Sequence, residues 1–215
     1  IEGLAYKTPE GEVIKNSERV RIKDLDELPF PAIHLLPPLE IYKPYLLHHK
    51  RTPLMTVATS RGCPYKCTYC ASPFHWKRNK TEFRSPQSVL DEMRYLHDNY
   101  WTENGIDYSA SANMDSKENL IIKDNTIVYF VDDVFTVHKK RVKEILKMMI
   151  KEKLNMKWKC EARTDHLDDE IAELLNEAGC VRVKLGFESG SDKILKQVKK
   201  LETKDEMLNG ARILK

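Results

Sequence analysis

No window of this sequence reaches the roughly 18 to 20 consecutive apolar residues that a membrane-spanning helix needs, and the N-terminus lacks the charged-then-apolar layout of a signal peptide. A membrane helix is therefore not expected, and a cytoplasmic setting follows by default. Charge of one sign is not in excess either. Thirty-six Lys and Arg stand against 33 Asp and Glu for a net +3, interspersed along the chain and not gathered into a basic stripe, which argues against a dedicated nucleic-acid binder. Cysteine is sparse and odd in number: there are five, three of them between positions 63 and 70. That is poor geometry for a disulfide framework and natural for metal ligation. What is present is a chain of 215 residues, 41% apolar and 32% charged, enough for one buried domain with a small appendage. It starts at Ile1 without a methionine and stops inside a helical pattern, so a piece of a longer protein is expected.

Residues 1–50 differ from the rest. Short apolar stretches in LAYKTPEGEVIKN predict a hairpin turning at Pro9, Glu10 and Gly11. Pro29, Pro31, Pro37, Pro38 and Pro44 then exclude a long helix, leaving an extended connector that wraps over another surface. From 51 to 215, strand and helix patterns alternate. The strands are LMTVAT (54–59), TIVYFV (126–131), MKWKCEA (156–162) and VRVKLGF (181–187). Between them run helices with apolar stripes: Val89, Met93, Leu96 and Tyr100, opened by Ser85 and Pro86; then Val142, Ile145, Leu146 and Met149; then Ile171, Leu174, Leu175 and Ala178, stopped at Gly179. Residues 191–215 read as helical with a break near 201–203. The polar stretch 102–125 joins a helix end to a strand start and is an insertion on the face away from the chemistry.

Strands separated by such helices demand right-handed crossovers and a parallel sheet. The fold class is α/β, an incomplete parallel βα barrel with at least four βα units, because eight would need about 250 residues. In the third strand Met156, Trp158, Cys160 and Ala162 alternate with Lys157, Lys159, Glu161 and Arg163. In the fourth, Val181, Val183, Leu185 and Phe187 alternate with Arg182, Lys184, Gly186 and Glu188. A parallel strand packed on both faces would be apolar throughout, so one face lines a polar lumen and the other packs on helices. Parity makes Cys160 a packing residue, and Cys180 reads the same way.

The loop RGCPYKCTYCA directly follows the first strand, at the end where βα folds gather their chemistry. Its cysteines, Cys63, Cys67 and Cys70, stand at i, i+4 and i+7. Three thiolates on a four-iron cube leave one iron open, as an open metal position marks catalytic sites elsewhere. This spacing, with Tyr69 before the last cysteine, resembles the radical S-adenosylmethionine (radical SAM) superfamily. The resemblance implies a [4Fe-4S] cluster on the three cysteines and S-adenosylmethionine chelated to the open iron. Reductive cleavage would then yield a 5′-deoxyadenosyl radical that abstracts hydrogen from a substrate.

It also implies roles at the strand ends. Asp132 and Asp133, in VDDVF, stand where relatives hold the methionine amino group, though the usual glycines are absent; an acidic pair of this form resembles the cobalamin-binding branch. A helix N-cap before Val137 is the plainer reading of the pair. Glu161 in KCEAR and Glu188 with Ser189 in GFESGS match positions that hold the ribose and the methionine portion, with Gly186 and Gly190 admitting close approach. Lys200 is the candidate for neutralising the methionine carboxylate, and Arg163 competes with it. The charges could instead form a salt-bridged lumen without a ligand. Phe74, His75, Trp76, Lys77 and Arg78 either cover the cluster or form an ordinary amphipathic loop.

The appendage IEGLAYKTPEGEVIKN with DLDELPFPA looks like the connector that joins a cobalamin-binding domain to such a core. A cobalamin-dependent methyltransferase, or a relative acting as oxidase, cyclase or methylthiotransferase, is then implied, with a reductant such as flavodoxin or ferredoxin and a small-molecule or peptide substrate. The alternatives are a tRNA methylthiotransferase-like enzyme, a structural zinc module in which His75 completes a Cys3His set, and a scaffold that holds the cluster without turnover. Cys67→Ala is expected to abolish cluster binding; full iron content in that variant would refute the ligand assignment.

Overall fold

The computed structural model describes residues 1–37, 54–76, 80–100 and 127–215. The chain enters through an antiparallel hairpin of β1 (Ala5–Lys7) and β2 (Val13–Lys15), with Gly11 at φ 91 in its turn. Two 3-10 turns follow, at Leu25–Glu27 and Ile33–Leu35, the first capped by the Asp24 carboxylate, which accepts from Asp26 N at 2.9 Å. Leu25 is buried. The Asp26 carboxylate accepts from Ser85 N at 2.9 Å, and Phe30 packs against Tyr95 and lies under the Arg84 guanidinium. The described part of the connector is thus pinned across the start of the first long helix. Pro38, Pro44, Lys77, Arg78 and the 102–125 stretch lie outside the described residues.

The central sheet is parallel, with β3 (Leu54–Val57), β6 (Ile127–Phe130), β7 (Trp158–Ala162) and β8 (Cys180–Leu185) as sequential neighbours. Between β3 and β6 come β4 (Ser60–Arg61), the short helix α1 (Ser72–Trp76), β5 (Glu82–Phe83) and α2 (Pro86–Tyr100). The helices α3 (Lys139–Glu152) and α4 (Asp169–Glu177) separate the later strands, and α5 (Asp192–Gln197) and α6 (Lys204–Ile213) follow β8. This is the partial βα barrel expected, with four βα units among the described residues.

Each long helix starts where a side chain satisfies its free N–H groups. Ser85 Oγ accepts from Ser88 N at 3.1 Å, His138 from Arg141 N and Asp168 from Ile171 N, while Thr203 and Glu206 form a reciprocal capping box. The apolar stripes read from the sequence all face the sheet. Val89, Met93, Leu96, Val142, Ile145, Leu146 and Ile171 are fully buried against Val57, Val128, Phe130, Trp158 and Cys160. Phe130, Phe135 and Trp158 form a ring cluster with centroids 4.8 to 5.7 Å apart, and the Trp158 indole donates to Ala178 O at 2.7 Å. Burying side chains of this size contributes about 1.5–3 kcal/mol each.

Two expectations need correction. Alternation along the last strand predicts Val181 and Phe187 on its apolar face, yet Val181 is 43% and Phe187 40% exposed. The register explains the first: Cys180 pairs with Trp158 and Arg182 with Lys159, so Val181 is an extra residue that bulges out. Cys180, Val183 and Leu185 therefore face the core, and Phe187 lies past the strand's end. The second correction concerns the first strand, which does not run straight into the cysteine loop. The loop is clasped at its base by β4 paired antiparallel with β5. Gly62, at φ 96, allows this closure because a Cβ there would come within 2.4 Å of Lys80 O.

Gly179 ends α4 at φ 87, and a Cβ would lie 2.3 Å from Met156 O. Gly179→Ala is expected to lose more than about 2 kcal/mol of unfolding free energy. Gly190→Ala, where a Cβ meets nothing within 4 Å, should stay within about 0.5 kcal/mol. Equal denaturation midpoints for the two variants would contradict this account.

Candidate functional site

At the carboxyl ends of the parallel strands lies a cavity of about 370 Å³. Cys63, Cys67 and Cys70 line it together with Tyr65, Tyr69, Tyr129, Asp132, Asp133, Glu161, Arg163, Lys184, Glu188 and Lys200. All three cysteines are free thiols, the first two buried and the third half-buried. Burial pushes the Cys63 thiol up, and Asp133, Cys70 and Cys67 push it further. A buried thiol whose ionisation is opposed by its neighbours fits a group that supplies positive charge, since bound metal reverses that logic.

The loop is held from several sides. Its own turn closes through Cys70 N to Cys67 O at 3.1 Å, and Thr68 N donates to Val198 O at 3.0 Å at the end of α5. Ser72 N donates to Cys70 Sγ at 3.4 Å. The Tyr65 ring packs under the Arg163 guanidinium, 3.7 Å from its centroid. The Tyr65 hydroxyl lies 2.5 Å from His166 Nε2, and His166 Nδ1 is 3.2 Å from Thr136 Oγ1. Nothing in the sequence marks His166 as part of the site, because its partner lies 101 residues earlier in the chain.

The acidic pair divides its work. Asp132 is 2% exposed and accepts from Thr59 N at 2.6 Å, Ser60 N at 3.0 Å and the Thr59 hydroxyl; Arg141 Nη2 donates to Thr59 O at 2.8 Å. Burial raises its pKa against these bonds. The carboxylate ties the end of β6 to the end of β3. Asp133 is exposed and accepts from Ser72 Oγ at 2.9 Å and the Trp76 indole at 2.8 Å, which orients α1 beside Cys70. Neither caps the next helix; His138 does.

Glu161 accepts from the Tyr129 hydroxyl and from Lys184 Nζ at 2.8 Å. Glu188 adopts φ 56, and its carboxylate and Lys200 Nζ occupy the room left by Gly186, where a Cβ would meet them at 2.6 and 3.0 Å. Lys200 Nζ stands 3.7 Å from Glu188 and 3.4 Å from Glu202. Arg163 spends its donors on Asp165 at 3.0 and 2.9 Å, Lys200 O at 2.9 Å and Leu201 O at 3.3 Å. Tyr69 is half-exposed at the cavity wall, its phenol pushed up by burial, by Cys67 and by Glu188. Ser189 does not line the cavity: its N donates to Phe187 O and its Oγ accepts from Ser191 N at 3.1 Å.

His75 lies elsewhere. With Arg61, Trp76 and Glu82 it lines a separate groove of about 250 Å³, so it does not join the three cysteines. Among the described residues no three His, Cys, Asp or Glu side chains are gathered closely enough to hold a single ion. A lone tetrahedral zinc would need its sulfurs within about 3.8 Å of one another. A cube that takes one thiolate per iron does not ask for that closeness.

Residues 57–215 match the Radical SAM superfamily. A protein named as an uncharacterized methyltransferase from Pyrococcus horikoshii is 31% identical over 215 residues, 100% of this chain and 40% of the relative. The anaerobic magnesium-protoporphyrin IX monomethyl ester cyclase of Rubrivivax gelatinosus is 28% identical over 219 residues, 100% of this chain and 34% of the relative. Among solved structures, the cobalamin-dependent S-adenosylmethionine radical enzyme OxsB shares the fold, with a TM-score of 0.68 at 22% identity over 99% of this chain and 28% of that one. The chain thus spans 40% or less of each of these relatives.

Burial holds the His166 imidazole below its ordinary value of 6.5. As the pH drops past that value the unfolded chain takes up a proton that the folded chain refuses, so the stability this residue contributes is full above pH 6.5 and falls as the pH goes lower. His166→Gln is expected to flatten that part of the profile; superimposable pH–stability curves for variant and parent would contradict it.

Proposed function

This chain belongs to the Radical SAM superfamily, and on that premise we propose that it is the core of an enzyme that cleaves S-adenosylmethionine reductively to start radical chemistry on a substrate. The observation that carries the reading is the placing of three free thiols from one short loop on the same cavity wall as Glu161, Glu188 and Lys200. Cys63, Cys67 and Cys70 would hold a [4Fe-4S] cluster with one iron open to the amino and carboxylate groups of S-adenosylmethionine. When bound, the cluster supplies the electron that breaks the sulfonium bond.

The protein's part is to bind, align and exclude water. Glu161, steadied by Tyr129 and Lys184, faces the cavity as an acceptor for ribose hydroxyls. Glu188 and Lys200 form a carboxylate–ammonium pair that complements the zwitterionic methionine end. Lys200 is favoured over Arg163 for the carboxylate, because the Arg163 donors are already committed to Asp165 and to two backbone carbonyls. Asp133, exposed at the wall, is the member of the acidic pair placed to accept from the amino group, while Asp132 keeps the strand ends together. Tyr69 borders the cavity as a surface for the adenine. We assign Ser189 to the turn that presents Glu188.

A methyltransferase reading is supported by the relative named as a methyltransferase, and use of cobalamin by the likeness to a cobalamin-dependent enzyme. Cobalamin would be held by residues other than these. An acidic low-potential donor, flavodoxin or ferredoxin, would supply electrons in a cytoplasmic setting.

Protein purified without oxygen is expected to be brown, with iron and sulfide at about four each, and to form 5′-deoxyadenosine or a methylated product from S-adenosylmethionine with a reductant. Colourless, iron-free protein would overturn the cluster. Iron-loaded protein that leaves S-adenosylmethionine intact would overturn the reaction.

A further inference from the structure

The groove beside α1 departs from the near-balance of charge in the whole chain. Arg19, Arg21 and Arg61 line it with His75 and Trp76, and Glu82 is the one carboxylate among its described lining residues. One wall comes from a basic run: within residues 15–23, Lys15, Arg19, Arg21 and Lys23 stand against Glu18 alone. Arg19 and Arg61 are exposed and Arg21 is half-buried. Apolar surface lies among these charges, since Val20 in the groove is 78% exposed and Phe74 on α1 is 79% exposed. Arginine and aromatic side chains are the types that protein interfaces gather.

Hydrogen bonds join this groove to the cysteine loop. The Trp76 indole donates to Asp133 Oδ2 at 2.8 Å. The same oxygen accepts from Ser72 Oγ at 2.9 Å, and Ser72 N donates to Cys70 Sγ at 3.4 Å. A ring that lines the groove is therefore connected through two residues to a thiol placed to hold the cluster. Cys70 is also the one thiol of the three that is not fully buried. The whole of α1, five residues, is about 7.5 Å long, so the groove and the loop are neighbours.

We propose that this groove is the docking surface for an acidic protein that donates one electron. The inference rests on the radical reading for the use of that electron: the donor loses one electron, the cluster gains it, and no bond forms or breaks in the transfer. Guanidiniums at the groove meet carboxylates on the donor and steer its approach. Val20 and Phe74 are covered on docking, and Trp76, Asp133 and Ser72 span the gap to Cys70. Three guanidiniums beside a carboxylate make a patch too small for the many phosphate contacts that hold a nucleic acid.

The test uses flavodoxin as the probe. Its binding is measured by calorimetry on iron-free and on cluster-loaded protein. Cluster reduction is followed anaerobically by stopped-flow absorbance, with reduced flavodoxin or with reduced methyl viologen, a small cation that needs no docking surface. Arg19→Glu/Arg21→Glu should weaken flavodoxin binding and slow reduction by flavodoxin about tenfold or more at low salt. Reduction by methyl viologen should stay within about twofold of the parent, since that path does not use the groove. The difference between parent and variant should shrink above about 0.1 M salt, where charges about 10 Å apart are screened. Lys147→Glu/Lys151→Glu makes the same charge change at exposed positions on α3 and should leave flavodoxin within about twofold. Flavodoxin binding and reduction left intact in the groove variant, equal losses in the two variants, or transfer RNA binding more tightly than flavodoxin at equal salt would overturn the docking surface. A cluster that methyl viologen reduces while flavodoxin fails to bind overturns this surface alone. A reduced cluster that leaves S-adenosylmethionine whole overturns the radical reading alone.

Discussion

Gathering three cysteine thiolates on one buried wall is electrostatically unfavourable until positive charge arrives, and the architecture around the loop answers that constraint. The clasp of β4 and β5 closes the loop's base, and Gly62 lets the two ends pass closely. Tyr65, wedged under Arg163 and touching His166, fixes the stretch between the first two cysteines. Thr68 reaches the end of α5, and Asp133 fixes α1 just past Cys70. A site preorganised by its neighbours presents them together before any metal is bound.

The same logic assigns the carboxylates. A buried carboxylate survives only when hydrogen-bonded or paired, and each one here shows which solution it uses. Asp132 spends its acceptors on the backbone and hydroxyl of β3's end, so it is part of the frame. Glu202, fully buried, accepts from Thr164 through one oxygen and faces Arg163 and Lys200 with the other. Glu161, Glu188 and Asp133 have solvent-facing sides and border the cavity. Arg163 and Lys200 look alike in sequence, but Arg163 belongs to the frame with Glu202, while Lys200 bridges frame and cavity.

Much of this was legible from residues alone. The alternation of Trp158, Cys160 and Ala162 with Lys159 and Glu161 announced a two-faced strand, and the helical stripes around Val142 and Ile171 announced what covers its apolar side. The cysteine spacing announced the superfamily. What could not be read were features set by pairing between distant segments. The bulge at Val181 follows from the register against β7, which local alternation does not encode. Two-residue strands such as β4 and β5 carry no periodicity. The Tyr65–His166 contact joins residues 101 apart, and the split roles of Asp132 and Asp133 depend on Thr59 and Trp76, neither of which stands near them in the chain.

The central claim is that three thiolates leave one corner of an iron–sulfur cube free for a small-molecule ligand. The most direct measurement is the electron paramagnetic resonance spectrum of the reduced, cluster-loaded protein before and after addition of S-adenosylmethionine. The account predicts a changed spectrum, because the open iron gains new ligands. A spectrum that stays the same at saturating S-adenosylmethionine would contradict it.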